Sequence, residues 1–138
     1  ESLFVVSYPK LLKTIGYETA HVGKWHLLSK NQFDVKDFPQ PDAHGYDYFF
    51  YTHNNASPSH KNPDNFVRNG KVSKLEGYSA QLVAAEGIKW LKEDRAKEKP
   101  FALSIWLHEP HKPIATDPKF SAIYGDHPNK TYMGNITQ

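Results

Sequence analysis

The sequence contains no cysteine. That excludes disulfides, thiolate metal sites and a cysteine nucleophile, and leaves the redox compartment open. No apolar run approaches the roughly 18–20 residues needed to cross a bilayer, so no membrane association is expected. No signal-like segment opens the chain, and it begins with Glu1 rather than Met, which predicts a processed or excised product. Charge of one sign is scarce as well. A formal net charge of +2 with dispersed Lys and Arg gives no footprint for nucleic acid. Internal repeats, low-complexity tracts and signs of a second domain are also missing.

What is present is enough for one modest domain. The 138 residues are 38% hydrophobic and 23% charged, the balance of a globular protein with a real core. Ten prolines and eight glycines predict much loop. Eight histidines accompany 8 Tyr, 8 Phe and 3 Trp, more rings than a small core needs, so placement must decide which are functional.

Residues 1–6 read as a trailing segment. Ser7 is a reasonable N-cap with Pro9 in the first turn. Tyr8, Leu11, Leu12 and Ile15 fall at i, i+3, i+4 and i+7, which predicts a helix over Tyr8–Ile15. Gly16 supplies its left-handed stop. Thr19–His26 has no helical period and reads as a strand, with Ala20, Val22, Lys24 and His26 on one face. Gly23 would let another group approach the backbone. Asp34–Ala43 is polar and punctuated by proline, and His44–Tyr51 is an aromatic run suited to a buried strand. Thr52–Asn69 is a long Asn/His/Pro loop of the kind that is usually functional or disordered. Phe66–Arg68 and Lys71–Val72 flank Asn69-Gly70, a tight hairpin signal. Tyr78–Lys97 reads as a helix with Leu82, Ala85, Ile88 and Leu91 inward, Ser79 as a cap and Pro100 as a stop. Phe101–Leu107 alternates as a strand and runs into His108-Glu109-Pro110-His111. A short helix is expected around Pro118–Tyr124. Helix–strand, loop, helix–strand predicts an α/β fold on a parallel sheet.

Lys24 and His26 admit two readings. One is a strand end with a solvated lysine and a packed histidine. The other is a cationic pair aimed at an anionic ester, Lys giving a point charge and His a proton-exchanging partner. His108 and His111 sit three apart, but without Cys or an acidic cluster an oxyanion or leaving-group contact is favoured over zinc. Ser7-Tyr8-Pro9 looks like a Ser-x-Pro nucleophile motif, yet a helix start explains both Ser and Pro. Asn55-Ala56-Ser57, Asn129-Lys130-Thr131 and Asn135-Ile136-Thr137 match glycosylation acceptors, a pattern frequent by chance.

Gly16-Tyr17-Glu18-Thr19-Ala20-His21-Val22-Gly23-Lys24-Trp25-His26 resembles a signature of the sulfatase family, within the alkaline-phosphatase-like superfamily. His44-Gly45-Tyr46-Asp47-Tyr48-Phe49, Gly77-Tyr78-Ser79, Lys99-Pro100-Phe101, Pro110-His111-Lys112-Pro113 and Tyr132–Gln138 follow in family order, so the resemblance covers practically the whole chain. It implies a portion of an alkaline-phosphatase-like α/β sandwich, with parallel strands, flanking helices and long loops, and hydrolysis of a small-molecule or glycan sulfate ester. It further implies a formylglycine nucleophile and a divalent cation, usually calcium. By the same resemblance Lys24 would bind sulfate and bridge to the nucleophile. His26 would hold the formylglycine hydrate, and His111 would contact sulfate and the leaving oxygen. Thr52, His53, Asn54, Asn55, His60 and Arg68 would meet the rest of the substrate. A periplasmic or secreted location is the family expectation.

Departures from the family pattern matter too. Ser7-Tyr8-Pro9-Lys10-Leu11 lacks the Ser-Arg that should follow Pro, and the family's acidic metal ligands find no match. The expectation is therefore that residues 1–138 are an internal fragment of a sulfatase catalytic domain, partnered by the remainder of that chain and inactive alone. An exposed apolar sheet edge should follow. Alternatives are a phosphohydrolase or phosphotransferase of the same superfamily, or a non-catalytic module binding anions or sulfated glycans. In the sulfatase reading, Lys24, His26 and His111 converge within hydrogen-bonding reach of one sulfate.

Overall fold

Glu18–Lys24 forms β1, the strand from which the sheet extends both ways in the computed structural model, which describes residues 6–27 and 39–138. The expected features of residues 1–5 and 34–38 lie outside the described residues. β2 (Tyr48–Thr52) and β5 (Phe101–Trp106) pair with β1 in parallel on either side. β3 (Phe66–Arg68) and β4 (Lys71–Ser73) extend the sheet antiparallel beyond β2, in the order β4-β3-β2-β1-β5. The sheet is thus mixed, where a parallel one was expected. The stretch joining β2 to β3 carries no helix, so the chain returns antiparallel without a crossover. Asn69 (φ 45°) and Gly70 (φ 82°) make the turn of the β3–β4 hairpin, the left-handed pair that such a turn requires.

Both faces of β1 are covered. Ala20 and Val22 are fully buried on one face and Thr19 and His21 on the other. Val22 packs with Phe50, Ala56, Phe66 and Val83. On the opposite face Trp25, Tyr46, Phe49 and Tyr51 form a second, aromatic cluster, which His21 joins edge-on to Trp25 and Trp106. This arrangement takes up most of the surplus rings. β1 stops at Lys24, two residues earlier than expected. His26 has φ 46° and leaves the strand, so it does not share the strand face with Lys24.

The helices depart from their expected faces. α1 spans Tyr8–Thr14, but Leu11 and Ile15 remain more than half exposed and only Pro9 is buried. Ser7 gives no capping bond; its hydroxyl donates to the carbonyl of His44. α2 spans Ser79–Lys89 and runs on through a π turn at Trp90–Asp94. Its buried stripe is Ala80, Val83, Gly87 and Trp90, not Leu82, Ala85, Ile88 and Leu91. Strict spacing by three winds off a helix of 3.6 residues per turn, whereas 3-4-3 spacing stays on one face. Glu86 is buried on that stripe and is held by Arg68 through Nε and Nη2 at 2.6 and 2.7 Å, and by the Tyr48 hydroxyl. α3 (Pro118–Ser121) and α4 (Lys130–Thr137) close the chain as a small pair of helices. β5 is the expected apolar edge, with Phe101, Ile105 and Trp106 each more than 40% exposed.

Gly23 fixes how closely β5 can approach. It has φ 109°, and a Cβ there would lie 1.9 Å from the Trp106 carbonyl oxygen. Gly23→Ala should therefore lower unfolding stability by about 2 kcal/mol or more, through strain and displacement of β5. Chemical denaturation measures this, and an unchanged midpoint would contradict the packing described.

Candidate anion site at the strand ends

The parallel strands β1, β2 and β5 all end at one edge of the sheet, where ligands bind in open α/β folds. Lys24 ends β1, Thr52 ends β2, and His108 and His111 follow β5. The backbone carries β1 onward beside β2, with Trp25 N–H donating to Thr52 O (2.9 Å) and His26 N–H to His53 O (2.8 Å). These bonds draw the chemistry-bearing residues together because the strand register leaves them no other place.

Lys24 Nζ donates to Asn55 Oδ1 at 2.9 Å, and Asn55 Nδ2 lies 2.9 Å from His111 Nδ1. Two residues from opposite ends of the sequence are thus joined through one amide. Lys24 is half-buried, and burial pushes its ammonium below the ordinary lysine pKa. His111 is exposed. His26, also exposed, sits beside His53, whose pKa is lowered by burial and then by His26.

Beneath this surface layer is a buried polar floor. Thr52 is fully buried; its hydroxyl donates to Asn54 O at 2.7 Å and lies 2.5 Å from His108 Nε2. His108 packs edge-on against His60, itself fully buried. His60 Nδ1 is 3.7 Å from Glu109 Oε1. Burial drives His108 down to about 3, helped by His60, Lys24 and His111, and lowers His60 against the raising pull of Glu109. Both rings are neutral near pH 7. Glu109 accepts from the Ser79 hydroxyl and from Ala80 N–H (3.2 Å), so it caps α2 in place of Ser79 and ties that helix to the loop bearing His111.

The residues singled out in the sequence therefore separate into groups. Lys24, Asn55 and His111 meet directly. Thr52 and His60 lie under them, too buried to face a substrate. His53, Asn54 and Asn55 open onto a cleft of about 610 Å³, shared with Asp64, Asn65 and Val72. Arg68 is not in that group, since both faces of its guanidinium fork go to Glu86. His108 is a buried neutral support and not an oxyanion contact. Glu109 and Asn65 were not anticipated. Glu109 carries the only weak signal, an acid between two histidines just past a strand. Among the three glycosylation-like sites, Asn135 is buried and donates to Ala115 O, while Asn129 is exposed.

Among the described residues no group of three or more His, Asp or Glu side chains is arranged to hold a metal. The side chains that meet here, Lys24, Asn55 and His111, include no carboxylate, and calcium's oxygen-rich shell is usually built on carboxylates.

Comparisons with known proteins bear on the site. A sequence profile of the family described as Sulfatase matches residues 3–135. An N-acetylglucosamine-6-O-sulfatase of Bacteroides thetaiotaomicron is 31% identical over 121 residues, 87% of this chain and 19% of that protein. An N-acetylgalactosamine-6-sulfatase of Mus musculus is 27% identical over 86% of this chain and 26% of its own length. A protein solved in complex with its substrate D-glucosamine-2-N,6-O-disulfate superposes with a TM-score of 0.65 at 30% identity, over 86% of this chain and 22% of that one. The chain thus spans about a fifth to a quarter of the relatives it matches.

The buried histidines set a pH dependence. Burial lowers His21 from 6.5 to about 4, against a smaller raising by the Lys24 backbone, and His108 to about 3. The unfolded chain binds these protons near the ordinary histidine pKa of about 6.5, and the folded chain does not. Their neutral, buried state costs nothing above that value, so stability should fall steadily from about pH 6.5 toward about pH 4. His21→Phe should make the decline shallower. Denaturation midpoints against pH measure both, and a flat wild-type profile would contradict the assignment.

Proposed function

The chain belongs to the sulfatase family, and on that premise we propose that it supplies the sulfate-binding part of an enzyme that hydrolyses sulfate esters of glycans. The observation that carries the reading is the Lys24–Asn55–His111 junction at the C-terminal ends of parallel strands, within a chain matched to the family over nearly its whole length. Lys24 places a cation with three donors against the sulfate oxygens. The His111 ring meets the ester oxygen that departs, and His26, on the turn after β1, would hold the hydrated nucleophile of the longer domain. Positive charge held over a neutral, low-dielectric floor of His60 and His108 acts more strongly than it would in water, which favours an anion as charge develops.

The sugar part of the ester occupies the cleft beside Asn55. Support comes from relatives named as N-acetylhexosamine 6-sulfatases and from a structural neighbour solved with a sulfated glucosamine. In this reading residues 1–138 are an internal segment of a longer catalytic domain, consistent with their span of 19% of the Bacteroides relative. Bond cleavage belongs to the longer domain, whose nucleophile and cation are held by other residues; the segment alone binds without turnover.

Titration calorimetry of the 138-residue chain with glucosamine 6-sulfate tests this. Lys24→Ala removes a charge-assisted hydrogen bond worth about 1.5–3 kcal/mol, so affinity should drop by about 10- to 100-fold. Glucosamine 6-phosphate should bind more weakly than the sulfate ester. Equal binding by wild type and Lys24→Ala would sink the proposal.

A further inference from the structure

The cleft beside Asn55 is lined mostly by amides and apolar side chains, with a single acid, Asp64, and no lysine or arginine. Asp64 is exposed, and among the described residues its side chain makes no ion pair or hydrogen bond. The buried acids of the fold each have a task, Glu86 holding Arg68 and Glu109 capping α2. Asp64 has none that stabilises the chain.

Its position is nevertheless fixed. Asp64 N–H donates to Ser57 O at 2.9 Å. The Asn65 side chain accepts from Ser57 N–H at 2.8 Å and donates to the Asn55 backbone carbonyl at 3.0 Å. Pro63 and Phe66, on either side of this pair, are buried. A carboxylate with nothing to hold is thus carried on a braced loop, and such preorganisation lowers the cost of binding.

The same braces relate the acid to the cation. Asn55 meets Lys24 through its side chain at 2.9 Å, and through its backbone carbonyl it meets Asn65, the neighbour of Asp64. The two charges therefore belong to one continuous site without neutralising each other. Tyr51, Val67 and Val72, the last 70% exposed, add an apolar surface to the cleft. A cation, an apolar surface and an unpaired acid match a ligand with an anion at one end, a sugar ring, and a cationic group elsewhere on that ring.

We propose that Asp64 is a specificity-determining residue, which accepts the protonated amine of a 2-amino sugar 6-sulfate and so favours the free amine over its N-acetylated and N-sulfated forms. An ammonium donates to a carboxylate through a hydrogen bond strengthened by charge. N-acetylation removes that charge, and N-sulfation replaces it with an anion that Asp64 repels. The preference sets this chain apart from the neighbour solved with D-glucosamine-2-N,6-O-disulfate, whose substrate carries an N-sulfate. The seating of the sugar rests on the sulfate-binding reading above; the acceptance of an amine by Asp64 does not.

The test is titration calorimetry of the 138-residue chain at about pH 7, below the roughly 7.7–8.0 at which an α-amine titrates, so that the sugar amine is mostly protonated. Wild type should bind glucosamine 6-sulfate about 5-fold more tightly than N-acetylglucosamine 6-sulfate, the upper end for an exposed ion pair. Glucosamine 2-N,6-O-disulfate should bind more weakly than either. Asp64→Asn keeps the shape and removes the charge. Its denaturation midpoint should match wild type, and its affinities for the free-amine and N-acetylated esters should become equal. Equal binding of those two esters by wild type overturns the proposal, as does an Asp64→Asn chain that weakens both alike. If wild type binds none of the esters, the sulfate reading fails, and unsulfated glucosamine at millimolar concentration then decides by NMR. Shifts of the His53 and Asn65 amides in wild type that vanish in Asp64→Asn keep the amine site; no shifts, or equal shifts in both chains, overturn it.

Discussion

Everything described depends on β1 being paired on both edges and buried on both faces. A strand in that position has no freedom of register, because a shift by one residue would exchange Ala20 and Val22 with Thr19 and His21 across two different cores. Gly23 tightens the constraint further, admitting the Trp106 carbonyl where any side chain would collide. With β1 fixed against β2 and β5, their ends are fixed too. Lys24, Thr52 and the loop after Trp106 meet for that reason and for no reason local to themselves.

The site above these ends is layered by charge. A cation and exposed rings lie outermost, bridged by an amide; neutral histidines and a threonine hydroxyl lie beneath. The lower layer adds no charge, yet it controls the upper one. Burial keeps His108 and His60 unprotonated, so they do not repel Lys24 at neutral pH. Glu109 is the acid of this floor, and it is committed to the start of α2. That commitment couples the helix covering the sheet to the loop carrying His111.

How much of this could be read in the amino acids varies with the range of the forces involved. α1, β1, β5 and the Asn69-Gly70 hairpin follow from local periodicity and turn chemistry, and each lies within two residues or so of its expected place. β2 starts four residues later than the run from His44 suggested, because a 3-10 turn takes up Pro41–His44. The inward face of α2 did not follow, since Gly87 and Glu86 belong to the buried stripe only because Val22, Leu103 and Arg68 wait there. Lys24 and His111 stood out as strand-end residues. Asn55 stood out only as a substrate contact on the long loop; its tie to Lys24 and His111 comes from partners 31 and 56 residues away, a relation no spacing records. Arg68 misled for the same reason: a loop-end arginine reads as a ligand contact until its carboxylate partner on another element is seen.

The pairing of β1 with β5 has a consequence for how the molecule is made. Glu18 lies opposite Phe101, so the central strand emerges from the ribosome long before one of its two neighbours exists. Its contacts with β2 can form early, but the Gly23–Trp106 approach must wait for residues about 80 positions later, and Lys24 meets His111 later still. Long-range parallel pairing of this sort is intrinsically slow and leaves strand edges open meanwhile. The Lys24–Asn55–His111 junction is therefore among the last features of the fold to be assembled, and it exists only once the sheet has closed on β5.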